Sequence, residues 1–175
     1  MTTEGETPAD DPLADLRWRR PTEADYPALV AVVDEWWGGR RMQPLFQRLW
    51  FQHFGGTSWL AELPDGRPAG FLVGFISPGD ATIGYVKLIG ANPNLRKRGL
   101  GRALYERFIA DVATRGVREV RAITWPGNRV SVGFHTAIGF RPLDGPGTQN
   151  IYGTSAFPDY DGPGEDRVVF VRRIE

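Results

Sequence analysis

The apolar positions change period along the chain, and the changes mark out its elements. Leu29, Val30, Val33, Trp36 and Trp37 recur every three or four residues, the spacing of a helix buried on one side, and Gly38-Gly39 stops the run. Residues 21–25 read as its entry, with Thr22 or Asp25 as the cap. Leu45, Phe46, Leu49, Trp50 and Phe54 predict a second helix over 43–53. A strand texture follows: 58–63 and 69–76, joined at Pro64-Asp65-Gly66, read as a hairpin, and 82–91 as a third run interrupted by Gly84 and Gly90. Leu100, Leu104, Phe108 and Val112 step by four and predict the strongest helix, 99–115, closed by Gly116. Beyond it come a strand at 119–124, a helix at 128–138 capped by Asn128, and a strand opening at Phe140. A Gly-, Pro- and Asp-rich stretch, 142–165, reads as one long loop before a closing strand at 168–173; a short strand at 16–19 precedes everything. Strands first, then alternating strands and helices, predict an α/β (α+β) domain with a mixed sheet flanked by helices.

Composition narrows what such a domain can do. With 175 residues and 41% hydrophobic content the chain can build one real core. The 21 basic and 21 acidic side chains balance, so a general attraction to nucleic acid is not expected. No apolar run approaches the length of a membrane span, and the acidic stretch 1–15 has no signal-peptide core. The expectation is a flexible acidic tail over 1–15, a single domain over 16–175, and a cytoplasmic location without membrane partners. Cysteine is absent, which excludes a thiol nucleophile and thiolate metal sites, and His53 and His135 are too few and too distant to suggest a metal centre.

Candidate chemistry concentrates in 88–104, LIGANPNLRKRGLGRAL, which reads as strand, turn and helix start. Amides at a helix N-terminus attract anions. Gly99 and Gly101 remove Cβ atoms that would block close approach, and Arg96, Lys97, Arg98 and Arg102 add positive charge that suits a pyrophosphate. A Walker loop is excluded because no Lys-Ser/Thr pair follows, and a dinucleotide turn because Leu104 stands at the third glycine. What remains is R-x-x-G-x-G. It resembles the signature of the GNAT N-acetyltransferases, and Ala91-Asn92-Pro93 with Arg96 resembles the run that precedes it there. A second cluster, NRVSVGFHTAIGF, carries Asn128, Ser131, Phe134, Gly139 and Phe140 at that family's spacing, with His135 where the family usually has Tyr.

The resemblance implies a single GNAT-like domain with a mostly antiparallel twisted sheet of about six to seven strands, about four helices, and a splayed strand pair that accepts CoA. It implies that the amides from Lys97 through Leu100 to Arg102 cradle the CoA pyrophosphate. Ile89, Gly90 and Ala91 are then expected to pair with the pantetheine arm, with Asn128, Ser131 and Phe134 beside the same cosubstrate. Acetyl-CoA would give its acetyl group to a primary amine of a small molecule, protein or peptide, by direct attack in a ternary complex. An amide near Ala91 is the expected donor to the carbonyl oxygen, and His135 the expected proton donor to the thiolate; Tyr152 and Tyr160 stand behind it.

No carboxylate stands among Tyr85, Lys87 and Leu88 or Ile123, Thr124 and Trp125, leaving an ordered water, Glu35, Asp159 or the free amine itself for the base step. Two clusters stay open between acceptor recognition and ordinary structure: Trp36, Trp37, Arg40 and Arg41, and the acids Asp159, Asp161, Glu165 and Asp166. A CoA-binding sensor without catalysis is the alternative function. A homodimer through Trp50 or Trp59 is also open.

Overall fold

The computed structural model describes residues 13–175. The expected tail therefore falls mostly outside the described residues. Its last part, 13–15, forms a turn in which Leu16 N–H donates to Leu13 C=O at 3.2 Å. In chain order the elements are β1 (Arg17–Arg19), α1 (Tyr26–Trp36), α2 (Leu49–His53), β2 (Trp59–Glu62), β3 (Pro68–Ile76), β4 (Ile83–Ala91), α3 (Leu100–Ala113), β5 (Glu119–Thr124), α4 (Arg129–Ala137), β6 (Arg141–Pro142), β7 (Gln149–Ile151), β8 (Thr154–Ala156) and β9 (Val168–Arg173). Seven strands form one sheet in the order β1-β2-β3-β4-β5-β9-β6. Every neighbouring pair is antiparallel except β4 and β5. The parallel step follows from the chain between them, since α3 supplies the crossover that a parallel pair requires.

Helices cover both faces of the sheet. On one face α3 buries Leu100, Leu104, Tyr105, Phe108 and Val112 against Leu72, Val86, Val120 and Phe170. On the other, Leu29, Val33 and Trp36 of α1 meet Phe46, Phe51, Phe71 and Leu88. Two glycines in strands exist to admit rings. A Cβ on Gly74 would stand 2.5 Å from the Phe108 ring, and one on Gly90 2.5 Å from Phe71.

Two sequence expectations are corrected. The helix expected over 43–53 is two pieces, a 3-10 turn at Gln43–Leu45 and the short α2. Phe46 breaks it: its backbone leaves the helical region at φ −93°, ψ 76°, and its side chain is fully buried. The rings of Tyr26, Phe51 and Phe71 pack around it at 5.2–5.8 Å, so core packing overrides local helical spacing. The stretch 142–165 is not one loop but holds the hairpin β7–β8. Its two-residue turn, Tyr152-Gly153, has φ of +52° and +85°, the positive pair of a type I′ turn. Strands of three residues leave no periodicity to detect, and Tyr-Gly is a poor advertisement for that turn.

Candidate functional site

The site begins with one extra residue in β4. Val73 pairs with Leu88 and Gly74 with Val86, so Lys87 has no partner on β3 and forms a β-bulge. Pairing with β5 also ends there: Val86 opposite Ala122 is the last pair, while Ile123 and Thr124 continue only with β9. The two parallel strands thus part at Lys87. The bulge reverses the facing of the residues beyond it, because Val86 packs with the α3 cluster and Leu88 with the α1 cluster. Asn92 N–H donates to Ala69 C=O at 2.8 Å. Since bonded pairs alternate along an antiparallel ladder, Ile89 and Ala91 turn their N–H and C=O groups into the open gap. The Ile89 carbonyl already accepts Trp37 Nε1–H at 2.9 Å. That contact between the end of α1 and the gap is not legible in sequence, where Trp37 reads equally as core.

The glycine-rich turn lies at the mouth of this gap. Gly99 caps α3 with φ +83°, and a Cβ there would meet nothing within 4 Å. Lys97 also adopts a left-handed φ of +63°, uncommon for a residue with a Cβ. The first amide with a helical acceptor is Ala103, bonded to Gly99 C=O. From Lys97 to Arg102 six consecutive N–H groups have no acceptor among the described residues. Lys97 and Arg98 are exposed and form no ion pair among them. The other two cations are tied inward: Arg96 donates to Trp36 C=O at 2.6 Å and Arg102 to Ala137 C=O at 2.8 Å. Such a row of free amides at the start of a fourteen-residue helix offers donors that an anion could accept from.

Gly101 has a different reason to be glycine. A Cβ there would lie 2.9 Å from the Phe134 ring of α4, so the second cluster packs directly on the first. Asn128 caps α4 by accepting Ser131 N–H at 3.2 Å. One turn on, His135 Nδ1 donates to Ser131 C=O at 2.8 Å, and Ser131 Oγ lies 3.2 Å from the same nitrogen. A proton on Nδ1 makes Nε2 the acceptor, and it takes the Tyr105 hydroxyl at 2.8 Å. The imidazole also stacks on Phe170, 4.6 Å between centroids, and is 4% exposed. Burial holds its pKa below the ordinary histidine value, opposed by the Ser131 carbonyl. The same burial pushes the Tyr105 hydroxyl up. His135 is thus a neutral ring with both nitrogens engaged, set beneath the surface where a proton donor to the thiolate was expected.

The opposite face, toward α2, is aromatic. Phe75 stacks on Trp50 at 6.2 Å and on Tyr85 at 5.4 Å, and Lys87 Nζ stands 5.8 Å over the Trp50 ring. Burial first, then the nearby Tyr160 and Asp161, raise the Tyr85 pKa to about 12, so part of the late loop approaches β4 here. The acids of that loop are committed. Arg167 holds Asp161 and Glu165, each at 2.7 Å; Asp159 accepts Gly164 N–H and Asp166 accepts Asp159 N–H. Tyr152, at the hairpin tip, lies 5.7 Å from Trp125 at the end of β5, and both are exposed. Trp36 and Trp37 pack on Phe71, Arg40 donates to Trp37 C=O, and Arg41 is exposed. Glu35 faces solvent on α1. Trp59 lies under the Arg20 guanidinium at 3.8 Å. Among the described residues, no group of three His, Asp or Glu could hold a metal and no helix is long and apolar enough to cross a membrane.

Comparison with known proteins agrees with this geometry. The model of the acetyltransferase (GNAT) family matches residues 12–140. An L-2,4-diaminobutyric acid acetyltransferase from Nocardia farcinica is 31% identical over 115 residues, 66% of this chain and 59% of that relative, so the match spans less than two thirds of it. A protein of the same name from Streptomyces coelicolor is 27% identical over 158 residues, 90% of this chain and 92% of the relative. The solved diaminobutyrate acetyltransferase EctA from Paenibacillus lautus, in complex with L-2,4-diaminobutyric acid and coenzyme A, shares the fold. Its TM-score is 0.63 at 21% identity, covering 89% of this chain and 93% of that one. The split sheet, the turn of free amides and the family match over both motifs lead to one statement: the chain belongs to the GNAT acetyltransferase family.

Proposed function

We propose that this protein is an acetyl-CoA-dependent N-acetyltransferase whose acceptor is a small amine of the diaminobutyrate type. The observation that carries the reading is the run of six free amides from Lys97 to Arg102, opening onto the gap between β4 and β5. Those amides, with Lys97 and Arg98, would hold the pyrophosphate. The Ile89 N–H and the N–H and C=O of Ala91 would align the pantetheine arm, the Ile89 carbonyl being held by Trp37. The acceptor class follows the names of the relatives from Nocardia farcinica and Streptomyces coelicolor and of the solved enzyme.

Acetyl-CoA supplies a thioester carbonyl poised to leave a thiolate. An amide of Ile89 or Ala91 in the gap can donate to the carbonyl oxygen as charge builds on it, and a backbone donor needs no rearrangement to do so. The neutral amine attacks, the C–N bond forms as C–S breaks, and the nitrogen's proton passes to the leaving sulfur through solvent. A thiol with a pKa of roughly 8.5 leaves without a dedicated acid. His135 fits a positioning role in this scheme. Its bond to Tyr105 ties α4 to α3, while the bond to Ser131 within α4 orients the ring, and together they seat Phe134 against Gly101.

The test is calorimetric titration with acetyl-CoA and CoA, followed by thiol release with a panel of amines led by L-2,4-diaminobutyric acid. Micromolar binding with amine-dependent thiol release supports the reading. Binding without release on any amine would leave a CoA-binding domain, and no binding would overturn both.

A further inference from the structure

We infer that Lys87 is the residue that recognises a carboxylate on the acceptor, making the enzyme selective for amines that are also carboxylic acids. This rests on the N-acetyltransferase reading above and deepens it.

The bulge is the reason. Along a regular β4, Lys87 and Leu88 would point to opposite faces; with the extra residue both lie on the α1–α2 face, Leu88 buried in the core and Lys87 exposed beside it. The anion-binding end of α3 belongs to the other face, where Leu100 packs on the sheet. A cosubstrate entering over α3 therefore leaves the α1–α2 side of the gap for the acceptor, and Lys87 stands at the vertex of that side, where β4 and β5 part. It is two residues from Ile89, about 7 Å along a strand, so its side chain and the edge that would hold the thioester border the same space.

Its charge is uncommitted. Lys87 forms no ion pair among the described residues, in contrast to Arg19, Arg20, Arg121, Arg167 and Arg172. The Trp50 ring at 5.8 Å lies near the outer limit of a cation–π contact and leaves the ammonium's N–H donors unused. The late-loop acids Asp161 and Glu165 are paired with Arg167 and form no ion pair with it. A free ammonium above an aromatic floor of Trp50, Phe75 and Tyr85 suits an acceptor with a short carbon chain, a carboxylate at one end and the reacting amine at the other.

The experiment compares two amines differing only in the carboxylate, L-2,4-diaminobutyric acid and 1,3-diaminopropane, with the full chain, Lys87→Met and Lys87→Arg. Wild type should favour the carboxylated amine in kcat/KM by about tenfold or more, the scale of one charge-assisted contact. Lys87→Met should erase most of that ratio through KM, and Lys87→Arg should restore it. The CoA affinity of each variant, read by calorimetry, checks that the site is assembled. An unchanged ratio in Lys87→Met overturns the assignment of Lys87 while the N-acetyltransferase stands. Wild type that binds CoA yet acetylates neither amine overturns the diaminobutyrate-type acceptor and Lys87 with it.

Discussion

Residues 96–102, a turn running into the start of α3, and the loop 157–167 are both polar and rich in charge and glycine, and on composition alone either could bind a ligand. They differ in what their polar groups are doing. In the first, six amides and two cations have no partner among the described residues. In the second, Arg167 gathers Asp161 and Glu165, and the remaining acids cap backbone amides of the same loop. A loop whose groups satisfy one another is a finished structure, whereas one with unsatisfied donors awaits a ligand. The acids that sequence leaves open to acceptor recognition belong to the finished kind.

The sharpest way to break this contrast is Gly99→Glu. The position is open on all sides, so the fold should survive a backbone strain of about 1 kcal/mol. A carboxylate among the free amides should weaken CoA binding by about 100-fold or more. Calorimetry with a thermal melt as control measures both. Gly101→Val comes next. Its methyls would press into Phe134, costing about 1–3 kcal/mol of stability. Phe134→Ala in the same chain should recover part of that loss in denaturant unfolding, whereas additive losses would mean that the two clusters do not touch.

His135 offers a third test, since its nitrogens are committed as fully as the late loop's acids. Its folded pKa is depressed, so the unfolded chain takes up a proton first as pH falls below the ordinary histidine range. Stability should be fully present above that range and decline on acidification from pH about 7.5 to 5.5, by up to about 1.4 kcal/mol per pH unit. His135→Gln should flatten that decline in melts at the two pH values. An equally steep decline in the variant would place the titration elsewhere. The smallest effect belongs to the finished loop. Arg167→Ala should cost about 0.5–1 kcal/mol by loss of its ion pairs and leave CoA affinity as it was. A fall in affinity would show that the late loop does more than hold itself.

Long-period features are legible in the sequence. The stripe of Leu100, Leu104, Phe108 and Val112 marks α3, and the two glycine-bearing motifs mark the family, because each rests on spacing within one short stretch of chain. Features that rest on a partner from elsewhere are not. The break at Phe46 depends on rings from other segments, and the hairpin β7–β8 on a turn too short to show a period. His135 is located by its motif position, but its burial is decided by Tyr105 and Phe170, thirty and thirty-five residues away. Gly101 reads as making room for phosphate, yet its nearest neighbour is Phe134.

Lys87 is supernumerary to the sheet. If it were deleted, Val86 and Leu88 would become neighbours that still face opposite sides, and the β3–β4 ladder would run on without a kink. Every buried contact of β4 could persist, while β4 would no longer bend away from β5. The opening proposed to receive the cosubstrate is thus encoded by an insertion of one residue that packs in neither core cluster. An ordinary sheet could gain such a gap, or lose it, in a single genetic step without having to refold.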